Sequence, residues 1–339
     1  MDEMIAPGIE LEAMLRSMNN GVVAINHENQ IIFYNQVFLT IIGRLAENIK
    51  LRPFYEVIRN EIIFDAIDVV RQTGKDGIRE GEWKDKIIRA TATPLVGKEE
   101  NLGILVIVED ITQLKKLESV RSDFVSNVTH ELKTPLTSIR GFVETLRNGA
   151  IADEAVARKF LDIIDIETER LSSLIQDILT LSEIESGEDH EAIACNVGKA
   201  AQEVVELLTD SKEGVQLIYE PVPYIRPYTC NPVRIKELLI NLLDNAIKYT
   251  EEGYVRLICR EDGEELLICV EDTGIGMEKE HLPRIFERFY RIGKSRSRKQ
   301  GGTGLGLSIV KHIVELYNGR IRVESKVGLG TRFEIRLPY

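Results

Sequence analysis

The stretch FVSNVTHELKTPLTSIRG, residues 124–141, places a histidine and a proline inside a helical pattern that needs neither. From Ile111 onward, apolar residues recur at spacings of three and four, which predicts a long helix. Pro135 cannot donate to the carbonyl of Glu131 and its ring crowds that turn, so we expect the helix to bend beside His130. A neutral imidazole offers a ring nitrogen as a nucleophile, and Glu131 could hold the other ring proton. The alternative is a solvated polar helix face, which the neighbouring proline argues against.

A second helix follows, with its own seam of apolar residues at spacings of three and four. The seam consists of Phe160, Ile164, Leu171, Leu174, Ile178 and Leu181, with Glu167 as its polar exception. The segment RNGAIADEAV between the helices supplies a glycine turn and Asp153 as a helix N-cap. We expect an antiparallel hairpin over residues 113–189, with an apolar face too wide for one hairpin to cover. Two copies of the chain should therefore pair through residues 113–187 into a four-helix bundle.

The segments on either side of this hairpin predict mixed helix and strand structure. Residues 8–112 contain one hairpin, GVVAINHENQIIFYN, then a helical stretch, then a second hairpin formed by DKIIRATATPLVG and LGILVIVEDIT. This order predicts an antiparallel sheet cupping a small pocket. After the polar break ESGEDHEA come helices at 197–209 and 232–249 and the strands YVRLICRE and ELLICVED. A glycine-rich stretch, a helix and the strands RIRVES and TRFEIRLP complete an α/β sandwich over residues 190–339.

Within that sandwich, the helix ending in NLLDNAIKYT carries a polar stripe. Asn241, Asn245 and Lys248 recur at positions i, i+4 and i+7, so they point the same way from a helix whose other face is apolar. The amide oxygen of Asn245 suits a Mg²⁺ ion that also binds phosphate oxygens. A solvated helix face is the alternative interpretation if the segment is considered alone.

Two glycine-rich motifs follow the stripe, DTGIGM at 272–277 and GGTGLGL at 301–307. Glycines allow close approach to the backbone, and the free N–H groups at a helix start favour a phosphate. Two such motifs beside an asparagine stripe predict a nucleotide site. The pattern fits neither a dinucleotide fold, since no βαβ alternation surrounds GTGLGL, nor a P-loop, since GxxxxGK[ST] does not occur.

The segment RIFERFYRIGKSRSRKQGG between the glycine motifs, which we expect to include loop and helix, predicts a basic lid over the nucleotide. Cations in such a lid could approach phosphate oxygens when it closes, because phosphoryl transfer depends on positioning and charge stabilisation. The candidates are Arg291, Lys294, Arg296, Arg298 and Lys299. For the last four, a solvated loop is the favoured interpretation.

Composition excludes several other classes. The formal charge of −12 argues against a nucleic-acid surface, which needs clustered Lys and Arg. The four cysteines lack paired metal-ligand spacing, and no apolar run approaches the roughly 18 residues of a membrane helix. We therefore expect a soluble chain in a reducing compartment, without structural zinc or disulfides.

Taken together, these motifs resemble those of two-component sensor histidine kinases, in the family's order and approximate spacing. HELKTP resembles the H box, NLLDNAIKYT the N box, DTGIGM and GGTGLGL the two glycine boxes, and RIFERFYR the F box. Residues 8–112, ending in EDIT, resemble a PAS sensor module. The resemblance implies a multidomain α+β protein with a PAS domain, a dimeric phosphoacceptor bundle at 113–189 and a Bergerat-type ATP-binding domain at 190–339.

The resemblance also implies roles for individual residues. His130 is the implied phosphoacceptor, Glu131 the general base and Thr134 a residue needed to dephosphorylate a response regulator. Asn245 is the implied Mg²⁺ ligand and Asp272 the residue that recognises the adenine amino group. The implied remainder of the ATP site comprises Asn241, Lys248, Tyr249, Gly274, Gly276, Arg291, Gly302, Thr303, Gly304, Leu305 and Gly306. Gly293 departs from the family pattern, which has an acidic residue there, and this puts the lid conformation in doubt.

Partners and location follow from the same resemblance. The implied partner is the receiver domain of a response regulator, docking near Thr134, Thr137, Ser138 and Gly141. The connecting segments most resemble the phosphate-regulon type, whose members carry N-terminal membrane helices that are absent here. We therefore expect a cytoplasmic chain, either a soluble variant or part of a longer anchored protein.

The predicted PAS pocket offers little chemistry for a cofactor. Residues 1–112 hold no cysteine for flavin attachment, and their one histidine, His27, falls in a predicted turn, so a small ligand or an empty pocket is expected. His190, His281 and His312 are interpreted as structural or solvated.

Two other functions compete with the kinase. A related ATPase would need a glutamate in place of Asn241 to activate water, and a non-catalytic nucleotide-biased scaffold would not need intact glycine boxes.

Overall fold

The computed structural model describes residues 17–44, 47–96, 101–186, 192–209, 211–293 and 302–339. The chain divides into two compact units, one ending at Asp123 and one beginning at Phe124. No helix within the described ranges combines the length and apolar character that crossing a bilayer requires.

The first unit contains a five-stranded antiparallel sheet in the order β2-β1-β5-β4-β3. Its strands are β1 Gly21–Ile25, β2 Ile31–Tyr34, β3 Gly77–Trp83, β4 Lys86–Val96 and β5 Asn101–Asp110. Its helices are α1 Gln36–Ile42, α2 Phe54–Val57 and α3 Glu61–Thr73. Both predicted hairpins and the antiparallel sheet are confirmed, and His27 lies exposed in the turn between β1 and β2. The sequence analysis missed β3, whose residues are mostly exposed and therefore lack a continuous apolar face.

Side-chain caps explain where α1 and α3 of the first unit begin. The Asn35 side chain accepts from the N–H of Phe38 at 2.9 Å, and that of Asn60 accepts from the N–H of Ile63 at 3.1 Å. Such side-chain caps satisfy N–H groups that have no partner within the helix. Fully buried side chains, among them Phe38 and Phe54, pack between these helices and the sheet. The small-ligand pocket stays a prediction.

The second unit begins with a long antiparallel helical hairpin. Helix α4 spans Thr112–Arg147, starting in the first unit, and α5 spans Glu154–Glu185. The turn between them contains Gly149 at φ 115° and a short 3₁₀ segment, and the Asp153 carboxylate accepts from two N–H groups of α5, as predicted. Pro135 lies inside α4, which continues as a helix on both sides of it.

The remainder of the second unit is an α/β sandwich. A five-stranded sheet in the order β11-β12-β10-β9-β7 is antiparallel except for the parallel pair β7 and β9, and β6 pairs with β8 separately. The strands are β6 Ile193–Cys195, β7 Val215–Tyr219, β8 Tyr228–Cys230, β9 Gly253–Asp262, β10 Glu265–Asp272, β11 Arg320–Lys326 and β12 Gly330–Pro338. The helices are α6 Val197–Leu208, α7 Pro232–Tyr249 and α8 Gly306–Leu316. They pack with the sheet in one core.

Two features of this unit differ from the sequence analysis. We expected a helix between the glycine motifs. This prediction is wrong for Lys279–Phe289, which form a series of turns. Hydrogen bonds in this stretch join residues three apart, for example from the N–H of Glu287 to the carbonyl of Arg284 at 2.9 Å. They do not continue as the regular four-residue pattern of an α-helix. The short strands β6, β7 and β8 were also missed. The four cysteines are all buried, and none of them forms a disulfide bond.

The hairpin shares its core with the sandwich. Leu174, Leu181 and Ile184 of α5 are buried in the same cluster as the apolar faces of α6, α7 and α8, and Leu132 of α4 packs against it. Leu174 and Leu181 belong to the apolar seam predicted for the second helix, which we expected another hairpin to help cover. That expectation overlooked the sandwich, which covers this part of the apolar face.

Candidate functional site

Helix α7 carries the predicted polar stripe on one side and packs into the core through the other. The Asn231 side chain caps it by accepting from the N–H of Val233 at 2.9 Å, and Pro232 occupies the first turn, where no N–H is needed. Its apolar face, Leu238, Leu239, Leu242 and Leu243, is buried in the core. Packing on that side leaves the stripe half-buried on the opposite side.

The two asparagines of the stripe bind their own helix through their amide nitrogens. Asn241 Nδ2 donates to the carbonyl of Glu237 at 2.9 Å, and Asn245 Nδ2 donates to the carbonyl of Asn241 at 2.7 Å. Among the described residues neither amide oxygen accepts a hydrogen bond, so both can bind other groups. A methyl group added at Gly306 would lie 2.4 Å from Asn241 Oδ1, so the stripe faces the start of α8.

The second glycine motif lies between two cations. A methyl group at Gly302 would lie 2.8 Å from Lys248 Nζ, and one at Gly304 would lie 3.3 Å from Arg291 Cγ. Gly304 has φ +75°, a conformation that favours glycine. The structure therefore brings together the stripe, the glycine loop and the cation that the sequence placed in the lid. Lys294, Arg296, Arg298 and Lys299 lie outside the described residues.

Helix α8 begins at Gly306 without a side-chain cap. Its first N–H groups have no partner within the helix, and together with the helix dipole they favour an anion. Burial lowers the pKa of Lys248, and the positive charges of Arg291 and Arg170 lower it further. Excess positive charge near an uncapped helix start suits a polyphosphate.

Asp272 lies at the end of β10, beside the first glycine motif. The N–H groups of Gly274 and Thr331 donate to its Oδ1 at 2.9 and 3.2 Å, and within the described part of the chain Oδ2 accepts none. Burial raises the pKa of this carboxyl group. The N–H of Ile275 donates to the carbonyl of Tyr249 at 3.1 Å, which joins this loop to the end of α7. The left-handed Gly276, φ +65°, packs against the Lys326 carbonyl.

The predicted phosphoacceptor lies on the exposed surface of α4. The Thr134 hydroxyl donates to the carbonyl of His130 at 3.1 Å, so these two residues are adjacent, as the spacing predicted. Glu131 does not pair with the imidazole. Its Oε2 lies 3.2 Å from Nη2 of Arg170 on α5, in a partly buried ion pair.

Polar contacts also join α5 to the glycine loop and to α7. The Thr303 hydroxyl donates to Asp177 Oδ2 at 2.6 Å, and Arg234 of α7 lies 2.7 Å from Glu183. Burial raises the pKa of Asp177, while the Thr303 hydrogen bond opposes that shift. The hairpin and the nucleotide-type loop thus meet within one compact unit.

Three family descriptions match the chain. They are the PAS fold over residues 9–111, the His Kinase A (phospho-acceptor) domain over residues 120–187, and the histidine kinase-, DNA gyrase B- and HSP90-like ATPase over residues 230–339. The chain belongs to the sensor histidine kinases.

Two sensor kinases align with almost the whole chain. Sensor protein kinase WalK of Staphylococcus saprophyticus is 31% identical over 337 residues, which cover 97% of this chain and 55% of that protein. Sensor histidine kinase WalK of Bacillus subtilis is 31% identical over 340 residues, again covering 97% and 55%. The chain therefore spans about half the length of the curated relatives it matches.

A solved structure supports the fold. Histidine kinase ThkA, determined in complex with response regulator protein TrrA, matches with a TM-score of 0.50 and 22% identity, covering 96% of this chain and 97% of ThkA. The predicted fold class is confirmed: a PAS domain, a helical hairpin and an α/β ATP-binding domain. The phosphate-regulon subtype and the domain boundaries stay predictions.

Sequence reasoning missed three residues at this sensor kinase site: Arg170, Asp177 and Lys212. Arg170 and Asp177 lie on a helix where a scattered charge predicts only a solvated face. Lys212 Nζ donates to the carbonyl of Thr250 at 2.6 Å and to those of Ile247 and Lys248, at the end of α7. As a single lysine in a polar segment, Lys212 gave no indication in the sequence that it contacts the end of α7. His312, interpreted as structural or solvated, accordingly hydrogen-bonds through Nδ1 to the Ser308 carbonyl at 2.7 Å.

Proposed function

We propose that the chain catalyses ATP-dependent phosphorylation of His130 and then donates the phosphoryl group to an aspartate of a response regulator receiver domain. A ring nitrogen of His130 forms a bond to the γ-phosphorus as the bond to the β,γ-bridging oxygen breaks. The bridging oxygen keeps the electron pair and leaves as part of ADP, while Glu131 accepts the proton of the other ring nitrogen.

One observation carries this proposal: Asn241, the glycine loop and two cations converge in the unit that also exposes His130. Asp272 suits recognition of the adenine amino group, because its carboxylate is held in place by two backbone N–H groups. The uncapped start of α8, with Lys248 and Arg291, suits the phosphates. Gly274, Gly276, Gly302, Thr303, Gly304, Leu305 and Gly306 shape the loops around them, and Tyr249 lines the pocket.

The donor set also fits Mg²⁺, which neutralises phosphate charge when bound. The Asn245 amide nitrogen is held by its own helix, which leaves the amide oxygen as the ligand atom of the type that Mg²⁺ prefers. Asn241 stands where a related hydrolase needs a glutamate, so the site lacks a base for activating water. This supports transfer to an imidazole over steady hydrolysis.

The test is labelling with [γ-³²P]ATP and Mg²⁺. Wild-type protein should acquire acid-labile label, and His130→Ala should acquire none. His27→Ala is the matched control, because His27 is exposed in a turn of the first unit and should not affect labelling. Label that persists in His130→Ala would refute the phosphoacceptor assignment. Steady ATP turnover in that variant would favour the ATPase alternative.

We further propose that Thr134 supports dephosphorylation of the regulator. Its hydroxyl lies one turn beyond His130 and is exposed at the surface where a receiver domain would dock, beside Thr137, Ser138 and Gly141. Thr134→Ala should retain self-labelling but lose dephosphorylation of a labelled receiver. Equal loss of both activities would argue for a structural role instead.

A homodimer through residues 113–187 is the proposed assembly. Exposed apolar residues form a stripe on each helix of the hairpin, Val125, Leu136 and Val143 on α4 and Leu161, Ile175 and Leu179 on α5. At about 100° per residue each set falls on one face, and such stripes are normally covered. Sedimentation should show a dimer that Leu136→Glu weakens, whereas an unchanged dimer would place the interface elsewhere.

A further inference from the structure

One face of α5 packs against the ATP-binding domain along several turns. Arg170, Leu174, Asp177, Leu181 and Ile184 follow spacings of four and three, so they share that face. The three apolar members are buried in the core of the ATP-binding domain, and Asp177 accepts from Thr303. Arg170 is the next position on this face, about 10 Å from Asp177 along the helix.

Arg170 is held beside the phosphoacceptor by its ion pair. Its Nη2 lies 3.2 Å from Oε2 of Glu131, with side-chain exposures of 20% for Arg170 and 33% for Glu131. Glu131 is the residue that follows His130. Arg170 is therefore tied to the acidic neighbour of the phosphoacceptor.

Two cations border the glycine loop that this face of α5 contacts through Asp177. Lys248 borders Gly302 and Arg291 borders Gly304, on either side of the Thr303 that Asp177 binds. Burial first, and then the charges of Arg291 and Arg170, lower the pKa of Lys248, as expected for a buried ammonium group near other positive charges. Asp244 is the acidic group that opposes this effect.

We propose that Arg170 is a third phosphate-binding cation, which exchanges Glu131 for the γ-phosphate when ATP binds. A guanidinium fork binds either a carboxylate or a phosphate, but not both fully at once. The exchange releases the Glu131 carboxylate beside His130 at the moment when the phosphoryl group arrives. The proposal rests on the proposed kinase function and adds a residue to it.

Calorimetry with two nucleotides tests the exchange. ADP lacks the γ-phosphate, whereas the non-hydrolysable analogue AMP-PNP has one, so the ratio of their affinities isolates that group. With Mg²⁺ present, Arg170→Met should weaken AMP-PNP binding by about tenfold and change ADP binding by less than about twofold. Arg170→Lys should fall between, because it keeps the charge and loses the fork.

Glu131→Gln provides a test of opposite sign. Removing the competing carboxylate should tighten AMP-PNP binding several-fold and leave ADP binding unchanged. The matched control is Arg158→Met on the same helix, because Arg158 is 77% exposed and pairs only loosely with Glu154 at 3.6 Å. This control should change neither affinity.

Four results would overturn the proposal. Equal weakening of both nucleotides by Arg170→Met would assign Arg170 to structure, and no effect on either would remove it from the site. Unchanged or weaker AMP-PNP binding in Glu131→Gln would exclude the exchange. Absence of any nucleotide binding by the wild-type chain would overturn the proposed function as well, which separates the two failures.

Discussion

Leu181→Ala tests whether α5 is part of the core of the ATP-binding domain. Leu181 is 2% exposed and belongs to the cluster that contains the buried faces of α6, α7 and α8. The substitution removes three carbon groups, which at about 0.8 kcal/mol each gives about 2.4 kcal/mol of lost transfer free energy. A cavity that cannot relax raises the expected loss to as much as about 5 kcal/mol.

Denaturant unfolding, followed by a signal from the second unit, measures this loss of free energy of unfolding. The control is Leu207→Ala on α6, the same substitution at a site that is 69% exposed, which should change the free energy of unfolding by less than about 0.5 kcal/mol. If Leu181→Ala matches the control, the contact between α5 and the ATP-binding domain does not stabilise the protein, and the shared core is refuted.

Three further predictions concern a glycine at the start of β12, a lysine that contacts the end of α7 and a buried carboxyl group on α5. Gly330→Ala should unfold the domain or lower its free energy of unfolding by more than about 3 kcal/mol, because the methyl group would lie 1.8 Å from the Asp272 carbonyl oxygen. Gly328→Ala is the control: it has open space around it and should lower the free energy of unfolding by about 1 kcal/mol, as measured by thermal denaturation. Lys212→Met should lose about 1–2 kcal/mol and weaken ADP binding in calorimetry, because it leaves carbonyls at the end of α7 without their donor. Asp177→Asn should stabilise the protein near neutral pH, because burial raises the pKa of the Asp177 carboxyl group and so disfavours its charged form. The gain in free energy of unfolding over wild type should shrink as pH falls through that pKa, and it should vanish below the pKa of an unfolded-chain aspartate, about 3.9. A gain that stays constant with pH would contradict the last prediction.

Local signals made much of the fold predictable. The β1–β2 hairpin could be read from alternation around a polar turn, and the start of α5 from the cap at Asp153, because both depend on neighbours in sequence. The stripe of α7 was predictable for the same reason: positions i, i+4 and i+7 share a face in any helix.

The missed features depend on contacts between distant segments. An apolar seam shows that a helix face is buried but not which surface covers it. We expected a second copy of the hairpin to cover this face, whereas the ATP-binding domain buries Leu174 and Leu181. The helix predicted for Lys279–Phe289 was wrong for another reason. These residues have helical propensity, but Pro283 and the tertiary contact of Phe289 with Phe124, at 6.0 Å between ring centroids, favour separate turns.

The two faces of α5 suggest how a signal could reach the chemistry. Leu161, Ile175 and Leu179 form the exposed stripe proposed for the dimer, and about half a turn away Leu174 and Leu181 are buried in the ATP-binding domain. Helix α5 buries Leu174, Leu181 and Ile184 in the ATP-binding domain, whereas α4 contributes the partly buried Leu132 to this cluster. We therefore expect displacement between the hairpin helices to fall mainly on α4. Since α4 follows β5 of the PAS domain almost directly and carries Glu131, its displacement would act on the ion pair with Arg170. Under the proposed function, movement of α4 and bound ATP would then compete for this ion pair, because the first would displace the Glu131 carboxylate and the second would bind the Arg170 guanidinium.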